Sequence, residues 1–459
     1  MASIKSVTRE IFIVGLVLFF STTACVHAQS KGEKWTDLFD GKTLKGWKTA
    51  GGKAPYTVEN GVIVGTMVKG TPNSFLLTER DYGDFILELE VKLEGTETNS
   101  GVQTRSHINE KGQVYGRQVE IDPTARSWSG GIYDESRRLW LYPVDLNEKA
   151  KTAYKVEDYN HIRIEAIGDE TKTWLNGVPV TYLIDTLDPK GFIALQVHGI
   201  PDYLAGKKVY FKNIRIQTQD LKPRSFPEDV YIVNLKPNHL SRAEKKAGYE
   251  LLFNGKNADG WRSVRSSDFP DKGWEINNGQ ISVLKSDGAE STNGGDIVTK
   301  KQYKTFDFSF EFKLSPGANS GVKYFVTLQE QTSGSAIGLE YQILDDQLHP
   351  DAKEGLDGNR TLASLYDLIT ANKTTRGLKP IGSWNRGRIV VSADGQVTHY
   401  LNGFKVLSYI RGSKEYKDLV ALSKYKNWER FGEAEEGHIL LQDHGDHVSF
   451  RNIKIKELN

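Results

Sequence analysis

The chain has 459 residues, and its 60 Lys and Arg against 59 Asp and Glu give a formal net charge of +1. A balance this close, without a long basic cluster, argues against nucleic acid or an anionic membrane as a partner. The single cysteine, Cys25, leaves no disulfide framework and no cysteine-based metal or redox site, while 44 glycines and nine tryptophans suit turn-rich β structure in two or three domains.

At the N-terminus, Lys5 and Arg9 precede the apolar run Ile11 to Phe20, followed by small and polar residues ending in Val26-His27-Ala28. This pattern predicts a secretory signal peptide over 1–28, cleaved after Ala28, and so export to the periplasm or the cell exterior. The run is about half the ~20 residues that span a bilayer, and no later stretch is longer, so no membrane span is expected. A lipid anchor on Cys25 is the lesser alternative, because a lipoprotein leader wants Leu where Thr22 stands.

After the leader the chain repeats itself. Trp35-Thr-Asp-Leu-Phe-Asp-Gly-Lys-Thr-Leu-Lys-Gly-Trp47 returns as Tyr249-Glu-Leu-Leu-Phe-Asn-Gly-Lys-Asn-Ala-Asp-Gly-Trp261. In the same order follow Val58-Glu-Asn-Gly61 with Ile276-Asn-Asn-Gly279, Asn99-Ser-Gly-Val102 with Asn319-Ser-Gly-Val322, and Leu175-Asn-Gly177 with Leu401-Asn-Gly403. Gln196-Val-His-Gly199 with Gln442-Asp-His-Gly445, and Val209–Ile216 with Val448–Ile455, complete the series. Collinear matches of this extent mean duplication, and two copies are too few for a solenoid, so each copy closes its own core.

Phe306-Asp-Phe-Ser-Phe-Glu-Phe-Lys-Leu314 alternates strictly and Phe85–Leu93 nearly so, which predicts half-buried strands. Asn-Gly pairs between short alternating runs predict antiparallel hairpins. The expected fold is all-β: two tandem sandwiches over 30–220 and 248–459. Between them, 221–247 holds Pro223, Pro227 and Pro237 and the capping-box pattern Ser241-Arg-Ala-Glu244, and reads as a linker with one short helix. The second copy is longer by about twenty residues before Gly437, where Lys414 to Lys424 has helical spacing and Tyr425-Lys-Asn-Trp428 follows; this insert is either a lid at a ligand face or a surface decoration.

The strongest chemical signal is Gly338-Leu-Glu-Tyr-Gln-Ile-Leu-Asp-Asp346. Strand parity turns Leu339, Tyr341 and Ile343 to the core and Glu340 and Gln342 to a groove, with Asp345 and Asp346 where the strand turns out. The plain alternative is a solvated strand face ending in an acidic turn. A retaining glucanase would want Glu-x-Asp-x-x-Glu here; an amide at Gln342 and the shorter Asp345 argue against a paired-carboxylate mechanism. The first copy carries Gln118, Glu120 and Asp122 on the matching face, with Glu and Gln exchanged. His444, two residues after Gln442, shares its face and is a candidate base, as is His198 after Gln196 in the first copy. Lys323 and Arg105 are candidate oxyanion stabilisers, and Tyr133 and Tyr366 are candidates for stacking on a sugar. No phosphate loop, dinucleotide fingerprint, His-Glu-x-x-His or Gly-x-Ser-x-Gly is found, so the sequence requires no cofactor. Asp345, Asp346, His349 and Asp351 offer ligands for a divalent ion, though with no EF-hand spacing.

Together, Leu-Phe-Asn-Gly-Lys…Gly-Trp, Asn-Ser-Gly-Val, the Gly338–Asp346 segment, Asn359-Arg-Thr-Leu-Ala-Ser-Leu-Tyr-Asp367 and Leu440-Leu-Gln-Asp-His-Gly445 resemble the 3-keto-disaccharide hydrolase domain family, over most of 249–456 and more loosely over 35–217. The resemblance implies concanavalin-like jelly rolls acting on glycosides oxidised to a ketone at C3. Such a ketone acidifies the C2 hydrogen, so one base and one oxyanion stabiliser suffice. On this basis the second copy is expected to hold the chemistry: His444 or Glu340 as base, Lys323 or a metal ion on Asp345 and Asp346 at the enolate, and Gln342, Asp345, Tyr366 and Gln442 on the sugar. Arg105, Glu120, Asp122, Tyr133 and His198 are the first-copy counterparts. The expected partner is a disaccharide or other glycoside; a lectin-like binding module is the rival reading, and the residues do not decide oligomeric state.

Overall fold

Period-two alternation builds the core. Phe306–Leu314 is a single nine-residue strand whose Phe306, Phe308, Phe310, Phe312 and Leu314 all enter one apolar cluster. The structure is a computed structural model that describes residues 34–286, 290–328 and 335–458; the leader 1–28 and Cys25 lie outside the described residues. Among these the chain is nearly all strand, arranged as a nine-stranded and a seven-stranded sheet from the first copy and an eight-stranded and a five-stranded sheet from the second. Each pair of sheets encloses its own apolar cluster, so the chain is two all-β sandwiches. No helix among the described residues is long and apolar enough to cross a membrane.

In the seven-stranded sheet, β1 (Ser100–Ile108) runs between β2 (Val114–Ile121) and β3 (Phe192–Val197). Helix α1 (Arg242–Lys246) comes next, before the second copy. In the five-stranded sheet, β4 (Asn319–Val326) runs between β5 (Leu339–Leu344) and β6 (His438–Leu441), with helix α2 (Lys414–Leu422) inserted before β6.

The repeated motifs have conformational reasons. The Asn-Gly pairs at 60–61, 176–177, 278–279 and 402–403 have both residues at positive φ, the two-residue hairpin turn that asparagine and glycine tolerate best. Asn213 and Asn452, in the last repeated strand, are also left-handed, at φ 52° and 54°, where the ladder slips register. Arg105 and Phe325 occupy a matched irregularity in β1 and β4, at φ 48° and 55°. This slip takes both side chains out of the alternation that carries Gln103 and Lys323.

The segment 221–247 packs against both sandwiches. Ile232–Asn234 pairs in parallel with Val178–Ile184 of the first sandwich. Asn234 and Asn238 then bond Asn452 of the second, through Asn452 Nδ2 to Asn234 O at 2.8 Å and Asn452 N to Asn238 Oδ1 at 2.8 Å. Ser241 and Glu244 close the capping box of α1, and the Glu244 carboxylate takes a buried ion pair with Lys454 at 2.5 Å. Burial alone would raise the Glu244 pKa, but Lys454 outweighs it and holds the carboxyl below its ordinary value. Direct contacts add to this wedge: Arg386 Nη2 donates to Leu141 O at 2.6 Å, and the Phe404 ring lies 5.2 Å from Trp128 in the first sandwich's core.

Removing one partner of a buried ion pair leaves a desolvated charge, so Glu244→Ala is expected to lower unfolding stability by ~3–5 kcal/mol. Urea denaturation followed by tryptophan fluorescence measures this, and a loss below ~1 kcal/mol would mean the pair behaves as a surface one.

Candidate functional site

The groove side of the second sandwich's smaller sheet carries a cavity of about 240 Å³. Its floor comes from strand parity on β4 and β5 and from the residues just after β6. Tyr341, Ile343 and Leu441 fill the core behind, while Lys323, Glu340, Gln342, Gln442 and His444 line the cavity in front. Tyr366 lies at the wall, its backbone N–H bonded to Glu340 O at 3.0 Å. Lys323, Glu340, Gln342, Asp351, Tyr366, Gln442 and His444, all named from sequence, therefore meet in one place.

Glu340 is buried, and its position depends on a glycine. A Cβ on Gly321 would lie 2.3 Å from Glu340 Oε1, so the glycine of Asn-Ser-Gly-Val leaves the room that the carboxyl occupies. Burial pushes the Glu340 pKa up to about 7, against the pull of Lys323 and Lys424 and with the help of Glu290 and Asp296. Lys323 is buried beside it, with Nζ donating to Ser335 Oγ at 2.6 Å and Ala336 O at 3.2 Å and lying 3.8 Å from Asp296 Oδ2. Burial works against the Lys323 charge, but Asp296, Glu340 and Glu290 outweigh it and keep the ammonium above its ordinary value. Asp296 is itself pushed up to about 6 by burial.

Around this pair are further groups, of which Glu290 was not singled out from sequence and Asp351 was named there as a metal ligand. Glu290 accepts from Gln442 Nε2 at 3.1 Å, and Asp351 accepts from the Tyr366 hydroxyl at 2.9 Å and from Arg360 at 2.9 Å. The insert supplies Lys424, Tyr425 and Trp428 to the cavity wall, and Lys424 Nζ lies 4.2 Å above the Tyr366 ring. The insert thus borders the site. Its aromatic pair after an amphipathic helix was the available signal; Glu290, in a glycine-rich loop with no periodicity, offered none.

Several polar atoms await a partner. Asn319 Oδ1, Gln342 Oε1, Gln442 Oε1 and His444 Nδ1 are buried without a hydrogen bond among the described residues. Asn319 Nδ2 donates to His444 Nε2 at 3.3 Å, which leaves the imidazole proton on Nδ1. Buried polar groups are normally satisfied, so a cluster of four around a cavity is what a polyhydroxylated ligand would complete.

Two expectations need correction. Asp345 takes no part in the cavity: it accepts from the backbone N–H groups of Gly317, Gln347 and Leu348, closing the turn after β5. Asp346 accepts from Leu362 N and pairs with Lys373 at 2.6 Å. These bonds commit both carboxylates to the turn, and neither lines the cavity. The ligand atoms that do converge are those of His349, His444 and Asp446, all within 4.8 Å of one another. His349 Nδ1 accepts from Asp351 N and Asp446 Oδ2 from Asn319 N, so each keeps one further ligand atom. Two imidazoles and a carboxylate are a donor set for a divalent transition metal.

In the first sandwich, Glu120, Asp122, Tyr133 and His198 line a cavity of about 520 Å³ at the matching place. Arg105 is elsewhere. The register slip buries its guanidinium against Gly83 O, Gly168 O and Asp84, so it is a structural clamp and not an oxyanion stabiliser. The residue matched to Lys323 is Gln103, whose amide is spent on Gln118 and Ser106.

The 3-keto-alpha-glucoside-1,2-lyase-like domain matches residues 34–217 and again 248–456. A protein of Bacteroides thetaiotaomicron named 3-keto-disaccharide hydrolase is 40% identical over 235 residues, which are 46% of this chain and 79% of that protein. Two solved structures of candidate glycosyl hydrolases from Parabacteroides distasonis align at 35% and 26% identity with TM-scores of 0.43 and 0.35, covering 49% and 46% of this chain and 100% and 99% of theirs. With both of its sandwiches matched in this way, the chain belongs to the 3-keto-alpha-glucoside-1,2-lyase-like domain family, in two tandem copies.

Proposed function

We propose that the second sandwich cleaves glycosides carrying a ketone at C3, by removing the C2 proton and expelling the C1 substituent. The observation that carries this reading is the buried Glu340 carboxyl, with its pKa pushed up to about 7, lying in one cavity with the cation of Lys323. A base does best when its pKa lies near the working pH, and an enolate needs positive charge at its oxygen. Glu340 takes the C2 proton, and the electron pair moves to the C3 oxygen, facing Lys323 and Lys424. As the C1–O bond breaks, the proton on His444 Nδ1 passes to the leaving oxygen. Water then adds its hydroxyl to C1 as its other proton restores His444 Nδ1, and Glu340 returns its proton to C2, so that the overall reaction is a hydrolysis. Gln342, Gln442, Asn319 and the Tyr366 hydroxyl meet the sugar's other hydroxyl groups. The signal-peptide pattern over 1–28 supports placing this reaction in the periplasm or at the cell exterior.

A divalent ion on His349, His444 and Asp446 would polarise the C3 carbonyl, and it would take His444 out of the proton-donor role. The two arrangements give opposite responses to chelation. Turnover of a 3-keto disaccharide that survives dialysis against EDTA supports His444 as acid, whereas loss restored by Mn²⁺ or Zn²⁺ transfers the stabilising role to the metal.

Glu340→Gln is expected to lower kcat by about 10²- to 10⁴-fold with the fold intact by circular dichroism. Wild-type turnover in that variant would remove Glu340 from the chemistry, and saturable binding with no product in the wild type would favour a lectin. The pH profile carries the sign of the mechanism. Glu340 acts ionised, so kcat should rise with pH through about 7. Lys323→Met removes a cation that lowers the Glu340 pKa, so the same limb should move to higher pH while kcat falls about 10²- to 10³-fold.

A further inference from the structure

We propose that the cavity of the first sandwich is a second saccharide site, one that holds an uncharged disaccharide without cleaving it. This rests on the reading that the chain acts on sugars. It adds a division of labour between two copies of one fold.

The cavity is built for a ligand. Glu120 is buried on β2 and accepts from Asn99 Nδ2 at 2.7 Å, Gln118 Nε2 at 3.0 Å and Arg126 Nη2 at 3.3 Å. A buried carboxyl is tolerated when donors satisfy it, and a carboxylate has about four acceptor positions, so these three donors leave Glu120 capacity for a sugar hydroxyl. Tyr133 stands beside it as a half-buried ring 5.3 Å from Trp140, an aromatic face of the kind on which sugars stack. The wall is completed from outside the copy: Thr375, on an exposed turn of the second sandwich, lines this cavity. The contacts of Arg386 with Leu141 and of Phe404 with Trp128 hold that turn's sandwich in place.

The same cavity also holds a carboxyl that burial pushes up to about 7, Glu120, but it places that carboxyl and its cation differently from the second copy. Gln103 stands where the second copy has Lys323, and its amide is already bonded. The cation on this wall is Arg126, held back from Gln103 by Asp122, whose Oδ2 accepts from its Nε at 2.6 Å, and by the Trp128 ring, over which its guanidinium lies at 4.5 Å. The buried carboxyl has also moved. A Cβ on Gly101 would meet the Gln118 side chain, just as one on Gly321 would meet Glu340, so Gln118 is the positional match of Glu340 and Glu120 the match of Gln342. Two residues along a strand is about 6.8 Å, too far for one substrate pose to present its C2 hydrogen to both carboxyls. With Glu97 and Glu135 also on the wall, an enolate or an acidic sugar is disfavoured.

The test is calorimetric titration of the full-length Glu340→Gln chain with maltose, cellobiose, trehalose and sucrose, with glucuronic acid as the charged comparison. At least one neutral disaccharide should bind and glucuronic acid should not. That binding should weaken at least about tenfold, or ~1.4 kcal/mol, when Tyr133→Ala is added. Thr375→Trp, on an exposed turn and so harmless to folding, should crowd the cavity and weaken binding likewise, while Tyr133→Phe keeps it. Binding insensitive to both Tyr133→Ala and Thr375→Trp, or no binding by any of the four disaccharides, overturns the inference and leaves the second-sandwich reading to its own turnover assay. A loss of 3-keto disaccharide turnover on Tyr133→Ala as large as that on Glu340→Gln would place catalysis in the first cavity and overturn both.

Discussion

Burying an ionisable carboxyl on the groove side of a strand, with an apolar core directly behind it, is the constraint around which the second sandwich is arranged. Glu340 sits between Leu339 and Tyr341, which are both in the core cluster. The backbone therefore has no freedom to turn the carboxyl toward solvent without exposing a tyrosine. The cost of burial is offset by Lys323, and Lys323 in turn is held by Ser335, Ala336 and Asp296. Gly321 on the neighbouring strand leaves the space. Each of these answers one requirement of the same buried charge, and together they leave a group that ionises near neutrality in a site of restricted water.

Duplication copied the scaffold more faithfully than the site. The hairpin turns, the left-handed asparagines and the register slip recur at matched positions because they are conditions for closing the same sheets. The site residues sit on the groove face, where exchanging Glu and Gln leaves the core untouched. Such an exchange displaces a buried carboxyl by one full pleat without changing the core behind it, and one copy has a glutamine where the other has Lys323 and lacks the other's helical insert. Two cavities of about 240 and 520 Å³ in equivalent positions are the outcome.

The two sandwiches are joined by structure as well as by chain. The connecting segment adds a strand to the first sandwich and lays asparagines and a capped helix on the second, with the Glu244–Lys454 pair buried between. Hydrogen bonds at a domain boundary normally face water; here they are enclosed, which fixes one cavity wall with a residue from the other copy.

The sequence by itself determined the all-β fold, the duplication and the face that lines the cavity, because strand parity is a local property: counting in twos puts Glu340, Gln342, Gln442 and His444 on one side. The capping box at Ser241 and Glu244 was equally legible, being a contact between residues three apart. What only the tertiary structure decided was everything that depends on which strand lies beside which, and on where a register slips. Arg105 was matched to an oxyanion role by its distance from Asn-Ser-Gly-Val, but one left-handed residue turned it into a clamp on Gly83 and Gly168. Asp345 and Asp346 looked like ligands until the turn they close was in view, and Glu290, Asp351 and Lys424 reach the cavity from loops whose placement no local pattern encodes. The carboxyl that ionises near 7 could be named from sequence, but the environment that sets that value is assembled from β4, β5, the end of β6 and an insert, segments spread over more than one hundred residues that meet only when the sandwich closes.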